Sequence, residues 1–140
     1  MPDEVTTPVE RYADAISRRD VDAALELCHA EIEFSSLLAT LEGTTYRGHA
    51  GVRRYFKDVD AAWDEWRMET EQVLRVPDGR VVIVLRMHVR GLGSRVPLEQ
   101  SVAHVWELRD GKLWRSTAYR YPEEALRAVG LRAGAAPRAN

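Results

Sequence analysis

The sequence has very little cysteine and no long apolar run. Its single cysteine, Cys28, excludes an internal disulfide framework and is typical of proteins kept in a reducing compartment. The longest aliphatic stretch, residues 81–85, is far shorter than a membrane-spanning helix requires. The first four residues include two acidic ones and lack the apolar core of an export signal. These absences predict a cytoplasmic protein with no membrane partner.

The sequence also has no large excess of positive or negative charge. Twenty Lys and Arg residues stand against 22 Asp and Glu residues, which leaves a net charge of −2. This balance, without any basic block, argues against nucleic acid as a partner. The 140 residues are 45% apolar, and a chain of this length and composition is typical of one globular domain.

Motifs for metals and nucleotide cofactors are incomplete. His29, Glu31 and Glu33 alternate along a predicted strand without a further ligand nearby, so they do not make a metal site. The pair of glycines at 91 and 93 lacks the following helix that a nucleotide-binding turn needs. The sequence therefore predicts no cofactor and no metal.

The period of the apolar residues changes once along the chain. Apolar positions at helical spacing follow Thr7-Pro8 and Asp20, and again occupy residues 49–65. Asp20 is the expected N-cap of the second helix. From Arg67 onward the period is two, which indicates strands. Pro77-Asp78-Gly79 and Asp110-Gly111-Lys112 are the expected tight turns of two hairpins. The predicted strands are 31–37, 67–76, 80–91, 96–108 and 113–121, and a last helix covers 123–129. Helices followed by an antiparallel meander predict an α+β domain over residues 5–131, with a flexible tail at 132–140.

Short motifs at characteristic spacings resemble the SnoaL-like group of the nuclear transport factor 2-like superfamily. They are Val9-Glu10-Arg11-Tyr12, residues 19–25, residues 46–52, His104-Val105-Trp106, residues 109–112 and residues 123–126. The resemblance implies a cone-shaped fold, in which a curved antiparallel sheet wraps around the N-terminal helices. It also implies a small-molecule pocket in the cone and, in many members, a homodimer.

The resemblance also allows one activity of this fold to be tested residue by residue. Ketosteroid isomerisation needs a carboxylate base, a tyrosine and a protonated aspartic acid. Tyr12 matches the tyrosine, but Ser36 and Ala103 stand at the two carboxylate positions, so we expect no such activity. Two functions stay open. One is cofactor-free isomerisation, cyclisation or dehydration of a partly apolar, carbonyl-bearing or acidic substrate, and the other is a non-catalytic ligand-binding or dimerisation module.

Candidate site residues follow from strand alternation, with the resemblance choosing which face lines the cone. Tyr12 and His88 are the catalytic candidates. The ligand-binding candidates are Arg86, Glu107, Arg120, Tyr55, Val84, Val105 and Trp63. Structural alternatives remain: Arg86 with Glu107 as a salt bridge, His88 as a hydrogen-bonded lining residue, and Tyr12 as a packed core aromatic.

If that face of the strands lines the cone, the opposite face points outward and would form the interface of a homodimer. It carries Ile83, Leu85, Met87, Val89, Val102 and Trp106, with His104 among them. A contiguous apolar patch of this kind is too large for a monomer surface. The sequence therefore predicts a homodimer through the outer sheet face at Leu85, Met87 and Trp106.

Overall fold

The computed structural model describes residues 7–36, 45–93 and 97–131. The elements are α1 (Thr7–Ser17), α2 (Val21–Leu27), β1 (Cys28–Ser35), β2 (Thr45–Arg47), α3 (Gly48–Ala62), β3 (Trp63–Arg75), β4 (Val81–Gly91), β5 (Pro97–Arg109), β6 (Lys112–Tyr119) and α4 (Pro122–Ala128). The predicted α+β class is confirmed. In the described residues, no helix has the length and apolar character needed to cross a membrane. The tail predicted for 132–140 lies outside them.

The six strands form one sheet in the order β2-β1-β6-β5-β4-β3. Every neighbouring pair is antiparallel except β1 with β6, which run parallel. The sheet is therefore mixed, whereas the sequence pattern predicted a wholly antiparallel one. Local hairpin signals could not reveal this pair, because β1 and β6 are far apart in sequence and meet only when the sheet is assembled.

The end of α3 differs from the prediction. The helix ends at Ala62, and Trp63 already has extended backbone angles (φ −129°, ψ 134°). Trp63 and Trp66 are three residues apart, so they continue the apolar pattern of a helix. Pairing with β4, from Trp63 opposite Gly91 onward, instead draws both tryptophans into β3.

Local turn and cap signals were predicted correctly. Asp20 caps α2, where its carboxylate accepts a hydrogen bond from the Ala23 amide at 3.1 Å. Gly79 and Gly111 have φ angles of +97° and +75°, which glycine adopts without the steric cost of a Cβ atom. These residues form the tight turns of the β3–β4 and β5–β6 hairpins.

Helix α1 is tied to the outer edge of β3 through its last turn. The Ser17 hydroxyl accepts a hydrogen bond from the Met68 amide at 2.8 Å and donates one to the Met68 carbonyl at 3.2 Å. The Arg19 guanidinium donates to the Trp66 carbonyl at 3.5 Å. These bonds satisfy backbone groups that an edge strand would otherwise leave open. They also fix the separation between α1 and the sheet.

The two faces of the sheet pack against different helices. The main core joins α1, α2 and α3 to one face of the sheet, and its strand residues include Ile83, Leu85, Met87, Val89, Val102 and Trp106. The other face carries a smaller core, where Val84 and Val105 lie beneath Leu126 and Val129, in and just after α4. The helices of the cone thus cover the apolar face that the sequence analysis had turned outward.

The predicted dimer interface is therefore wrong. Leu85, Met87 and Trp106 are each no more than 3% exposed, inside the core of a single chain. They cannot form a surface patch, because the helices of the same chain already cover them. The homodimer itself stays a prediction, with no surface assigned to it.

Gly51→Ala should destabilise the protein by up to about 2 kcal/mol. A Cβ atom at Gly51 would lie 2.9 Å from the Tyr46 carbonyl carbon, and backbone cannot move aside as a side chain can. The overpacking cost of about 1–3 kcal/mol exceeds the helix propensity gained from alanine, about 1 kcal/mol. Urea unfolding measures the change. Gly93→Ala, where nothing lies within 4 Å, is the control, and equal stability of the two variants would contradict the packing described.

Candidate functional site

A cavity lies between α1 and the core face of the sheet. It is narrow and open at its mouth. Its lining consists of Val9, Tyr12, Ala13, Ile16, Phe34, Ser35, Ser36, Tyr55, Met68, Ile83, Leu85, His104 and Trp106. A mostly apolar wall with a few polar groups is the usual composition of a small-molecule site.

Four aromatic residues give this cavity a rigid wall. The Tyr12 ring meets the Trp106 ring edge-on, with 5.5 Å between centroids. The Phe34 ring meets Tyr55 edge-on at 5.2 Å and Tyr12 at 6.5 Å. Edge-to-face contacts of this kind add to the stabilisation from burial. The wall is therefore held in place by its own packing before any ligand binds.

The Tyr12 hydroxyl is the principal polar group in this wall. Tyr12 is 5% exposed, and its hydroxyl has no hydrogen-bond partner among the residues that the structure describes. Burial raises the pKa of Tyr12 well above its ordinary value, so the group stays a neutral O–H donor. A buried polar group without a partner costs about 1–3 kcal/mol. A ligand oxygen beside Tyr12 would remove that cost.

His104 is the second polar group, and the sequence analysis placed it on the wrong face. It lies on β5 between two core residues, Val102 and Trp106. Burial lowers the pKa of His104 to about 4, so the imidazole is neutral at pH 7. Within the described part of the chain, no hydrogen bond joins this imidazole to another group. A neutral imidazole offers one donor and one acceptor.

Ser36 and Tyr55 lie deeper in the same region. Ser36 is 6% exposed, and its side chain hydrogen-bonds to Tyr55. Burial raises the pKa of Tyr55, while the hydrogen bond with Ser36 opposes the shift. A second, smaller cleft adjoins the first, and both are lined by Ser36, Tyr55, Met68 and His104.

The structure brings only two of the predicted site residues to this cavity. Tyr12 and Tyr55 line it. Val84 and Val105 lie under α4 on the other face. Trp63 packs against the core beside Trp66, at 5.6 Å between ring centroids, and is not among the lining residues.

Arg86 and His88, two of the predicted site residues, also lie on the face away from the cavity. Arg86 pairs with Glu99 at 3.2 Å and Glu71 at 3.9 Å. His88 lies between Glu69 at 3.0 Å and Glu99 at 3.2 Å. Acidic residues of β3 and β5 therefore already pair with the predicted ligand-binding residue Arg86 and the predicted catalytic residue His88.

Glu107 and Arg120 are exposed and lie apart from each other. Glu107 lines a polar groove with Glu33 and Arg115, and Arg120 lies beside Tyr121 at the start of α4. Neither residue lines the aromatic cavity. The predicted pairing of Arg86 with Glu107 is also wrong, since the partners of Arg86 are the glutamates named above.

These errors have one physical cause. The family resemblance predicts the wrong inward face, whereas the composition of the two faces identifies the right one. Ile83, Leu85, Met87 and Val89 form an unbroken apolar row, which is typical of a face packed on a core. The alternate positions, with Arg86, His88 and Arg90, are typical of a face in contact with water. The same rule places His104 inward, because it shares a face with Val102 and Trp106.

Ser36 and Ala103, which stand where ketosteroid isomerisation needs carboxylates, lie in different parts of the structure. Ser36 lines the cavity, whereas Ala103 lies in the small core beneath α4. The neighbouring His104 is the residue that reaches the cavity at this point of β5. The cavity lining in the described residues includes no carboxylate and no lysine or arginine. Within the same residues, no three potential metal ligands come together.

Comparisons with known proteins agree with this architecture. The SnoaL-like domain family matches residues 9–116. None of the curated proteins matches the sequence. Solved structures are similar at low identity. An NTF2-like protein of unknown function from Burkholderia pseudomallei K96243 is 17% identical, with a TM-score of 0.75 over 92% of this chain and 99% of that one.

Two further structures have names that mention small organic molecules. TerC, co-crystallised with polyporic acid, is 20% identical, with a TM-score of 0.74 over 91% of this chain and 98% of its own. SalBIII is described as an epoxide hydrolase/cyclase-like enzyme in pyran ring formation in the polyether salinomycin. It is 21% identical, with a TM-score of 0.68 over 82% of this chain and 88% of its own. At these identities the similarity shows the fold alone. With the family match over residues 9–116, most of its length, this chain belongs to the SnoaL-like domain family.

Proposed function

We propose that this protein binds a small, neutral, largely apolar molecule that carries a hydroxyl or carbonyl group. The observation that carries the proposal is the Tyr12 hydroxyl in an aromatic cavity, where no other described residue forms a hydrogen bond with it. A ligand oxygen would accept its hydrogen bond while the apolar part of the ligand packs against Phe34 and Trp106. An acidic ligand fits less well, because the nearby cations Arg86 and Arg90 extend from the other face and are paired there.

The similar structures support a ligand of this kind without identifying it. TerC was crystallised with polyporic acid, and SalBIII is described as acting in pyran ring formation. Both are proteins of this fold that handle small organic molecules. The identity of the ligand of this chain follows from its own cavity, which favours an aromatic or alicyclic ring with one oxygen substituent.

Tyr12→Phe should weaken binding of 2-naphthol by about 2–10-fold, and the free protein should become about 1 kcal/mol more stable. The first effect is the loss of one hydrogen bond, worth about 0.5–1.5 kcal/mol. The second arises because phenylalanine removes a buried hydroxyl that has no partner in the free protein. Calorimetric titration and urea unfolding measure the two changes, which have opposite signs.

Two controls separate the hydrogen bond from packing. Naphthalene, which has no hydroxyl, should bind the wild type and Tyr12→Phe equally well. Tyr121→Phe makes the same chemical change at an exposed tyrosine outside the cavity and should leave 2-naphthol binding unchanged. Equal 2-naphthol affinities of the wild type and Tyr12→Phe would end the proposal.

Cofactor-free proton transfer is a second candidate, favoured by the neutral His104 in the same cavity as Tyr12. In such a reaction the imidazole nitrogen would take a proton from the carbon next to a ligand carbonyl. The Tyr12 hydroxyl would stabilise the negative charge that develops on the carbonyl oxygen. Transfer of the proton from the His104 imidazole to another atom of the ligand would complete an isomerisation.

This second function has a direct test. The wild type should exchange the α-protons of 2-tetralone for deuterium at least 100-fold faster than His104→Gln, since general base catalysis is typically worth 10²–10⁴-fold. Proton NMR in deuterated buffer follows the exchange. If both proteins exchange at the rate of buffer alone while 2-tetralone still binds, the protein is a non-catalytic binding module.

A further inference from the structure

The cavity between α1 and the sheet is too narrow for a ring-sized ligand in this structure. It has room for about one water molecule. A ligand such as 2-naphthol therefore reaches Tyr12 only after α1 and β3 move apart. The bonds that hold these two elements together beside the cavity determine how easily that movement occurs.

Two residues at the end of α1 and just after it bond to the backbone of residues that line the two clefts. The Ser17 hydroxyl bonds to the amide and the carbonyl of Met68, at 2.8 and 3.2 Å. The Arg19 guanidinium donates to the Trp66 carbonyl at 3.5 Å and pairs with Asp60, on α3, at 3.0 Å. Ser17 and Arg19, here called the latch, thus join the corner between α1 and α2 to both β3 and α3.

The backbone of Arg19 indicates that its side chain has a role. Its φ angle is +59°, in the left-handed region that often ends helices and that glycine occupies at the least steric cost. The Arg19 amide donates to the Ile16 carbonyl at 3.0 Å. The Asp20 amide donates to the Ala15 carbonyl at 2.9 Å, and this pair of bonds is typical of such a helix end. Because an arginine is unfavourable at this position in itself, the bonds of its guanidinium are what the structure gains from it.

Opening the cavity at the latch costs less than opening it within the sheet. The Arg19 side chain is 28% exposed and its partner Asp60 is 63% exposed, so water can replace their bonds. On its other side β3 is joined to β4 by a long antiparallel ladder. Separation of these strands would break many backbone hydrogen bonds together, each of which stabilises the fold.

We infer that the latch formed by Ser17 and Arg19 controls the entry and exit of ligands. While its bonds are made, α1 lies against β3 and the cavity stays narrow. When they break, α1 moves away from β3, a ligand reaches Tyr12, and the bonds form again beside it. This inference rests on the proposed function, because it concerns ligands that bind beside Tyr12.

Two variants weaken the latch without changing a residue that lines the cavity. Ser17→Ala removes both bonds of the hydroxyl. Arg19→Asn removes the guanidinium but keeps a residue type that tolerates left-handed φ angles. Arg18→Asn is the matched control, because Arg18 pairs with Asp14 at 2.8 Å and Asp20 at 3.2 Å, within the α1–α2 corner.

Stopped-flow tryptophan fluorescence with 2-naphthol measures the association and dissociation rate constants. Both should rise about three- to tenfold in Ser17→Ala and in Arg19→Asn, because the loss of about one hydrogen bond makes opening easier by that factor. Their ratio, the dissociation constant, should change less than about twofold, since the latch closes with and without ligand. Arg18→Asn should leave both rate constants unchanged.

Two kinetic results would overturn the inference. One is that both latch variants keep the rate constants of the wild type. The other is that only the dissociation rate constant rises, because Ser17 and Arg19 would then stabilise the bound state alone.

Amide hydrogen exchange tests the latch without any ligand. The Met68 amide donates to the Ser17 hydroxyl across the latch, so it exchanges when the latch opens. In the free protein its exchange should be about three- to tenfold faster in Arg19→Asn than in Arg18→Asn. Equal exchange in these two variants overturns the latch, even if 2-naphthol binds as proposed. If exchange differs as expected but 2-naphthol affinity is the same in Tyr12→Phe as in the wild type, the proposed site is wrong, and ligand entry through the latch is overturned with it.

Discussion

Trp106→Ala should lower the free energy of unfolding by about 3–5 kcal/mol. Trp106 is 2% exposed, and its ring packs against Tyr12 at 5.5 Å and Phe34 at 6.4 Å between centroids. Truncation would remove the largest side chain of the cavity wall, and the neighbouring rings, which contact one another, could fill the space only in part. Urea unfolding at pH 7 measures the loss.

Trp114→Ala is the matched control for this prediction. Trp114 is half-buried on β6, where Arg109 and Arg115 stack on its ring at 5.0 and 4.3 Å. Its truncation should cost about 1 kcal/mol, the value of exposed cation–π contacts with some lost packing. If Trp106→Ala cost no more than Trp114→Ala, Trp106 would not be the interior residue that the structure describes.

Acidification from pH 7 to pH 4 should remove about 3 kcal/mol of stability through His104 alone. In the unfolded chain the imidazole binds a proton near its ordinary pKa of 6.5, whereas burial holds the pKa of folded His104 at about 4. Between these two values the unfolded state binds more protons, so stability falls as the pH falls. Each unit of pKa difference corresponds to about 1.4 kcal/mol.

The His104→Leu variant isolates this contribution. Other groups also titrate over this range, so the quantity to compare is the difference between the wild type and His104→Leu at each pH. That difference should change by about 3 kcal/mol between pH 7 and pH 4, and it should level off at lower pH. Parallel stability curves for the two proteins would contradict the burial of His104 in a neutral form.

The sequence predicted the elements well, because local signals determine them. The Asp20 cap and the turns at Gly79 and Gly111 were identified from residue type alone, and the structure contains each of them. The end of α3 was wrong, because two tryptophans three residues apart fit both a helix and the strand that follows. The parallel pairing of β1 with β6 depends on contacts between distant segments, which no local pattern contains.

The candidate site was predictable only in part. The helical period of α1 places Tyr12 on the buried face, and the period of α3 does the same for Tyr55. The strand residues were assigned to the wrong face, although the apolar row from Ile83 to Val89 identified the core side. The pattern of apolar residues along a strand therefore indicates its inward face more reliably than a family resemblance does. The missing hydrogen-bond partner of Tyr12, in contrast, could be found only in three dimensions.

The central claim is that ligands enter the cavity between α1 and the sheet. An NMR titration of the labelled protein with 2-naphthol tests it most directly, because chemical shifts report which face of the sheet meets the ligand. We expect the largest chemical-shift changes at Tyr12, Ser36 and His104, and none at the side chains of Arg86 and His88. Shifts concentrated at Arg86 and His88, with none at Tyr12 or His104, would contradict it.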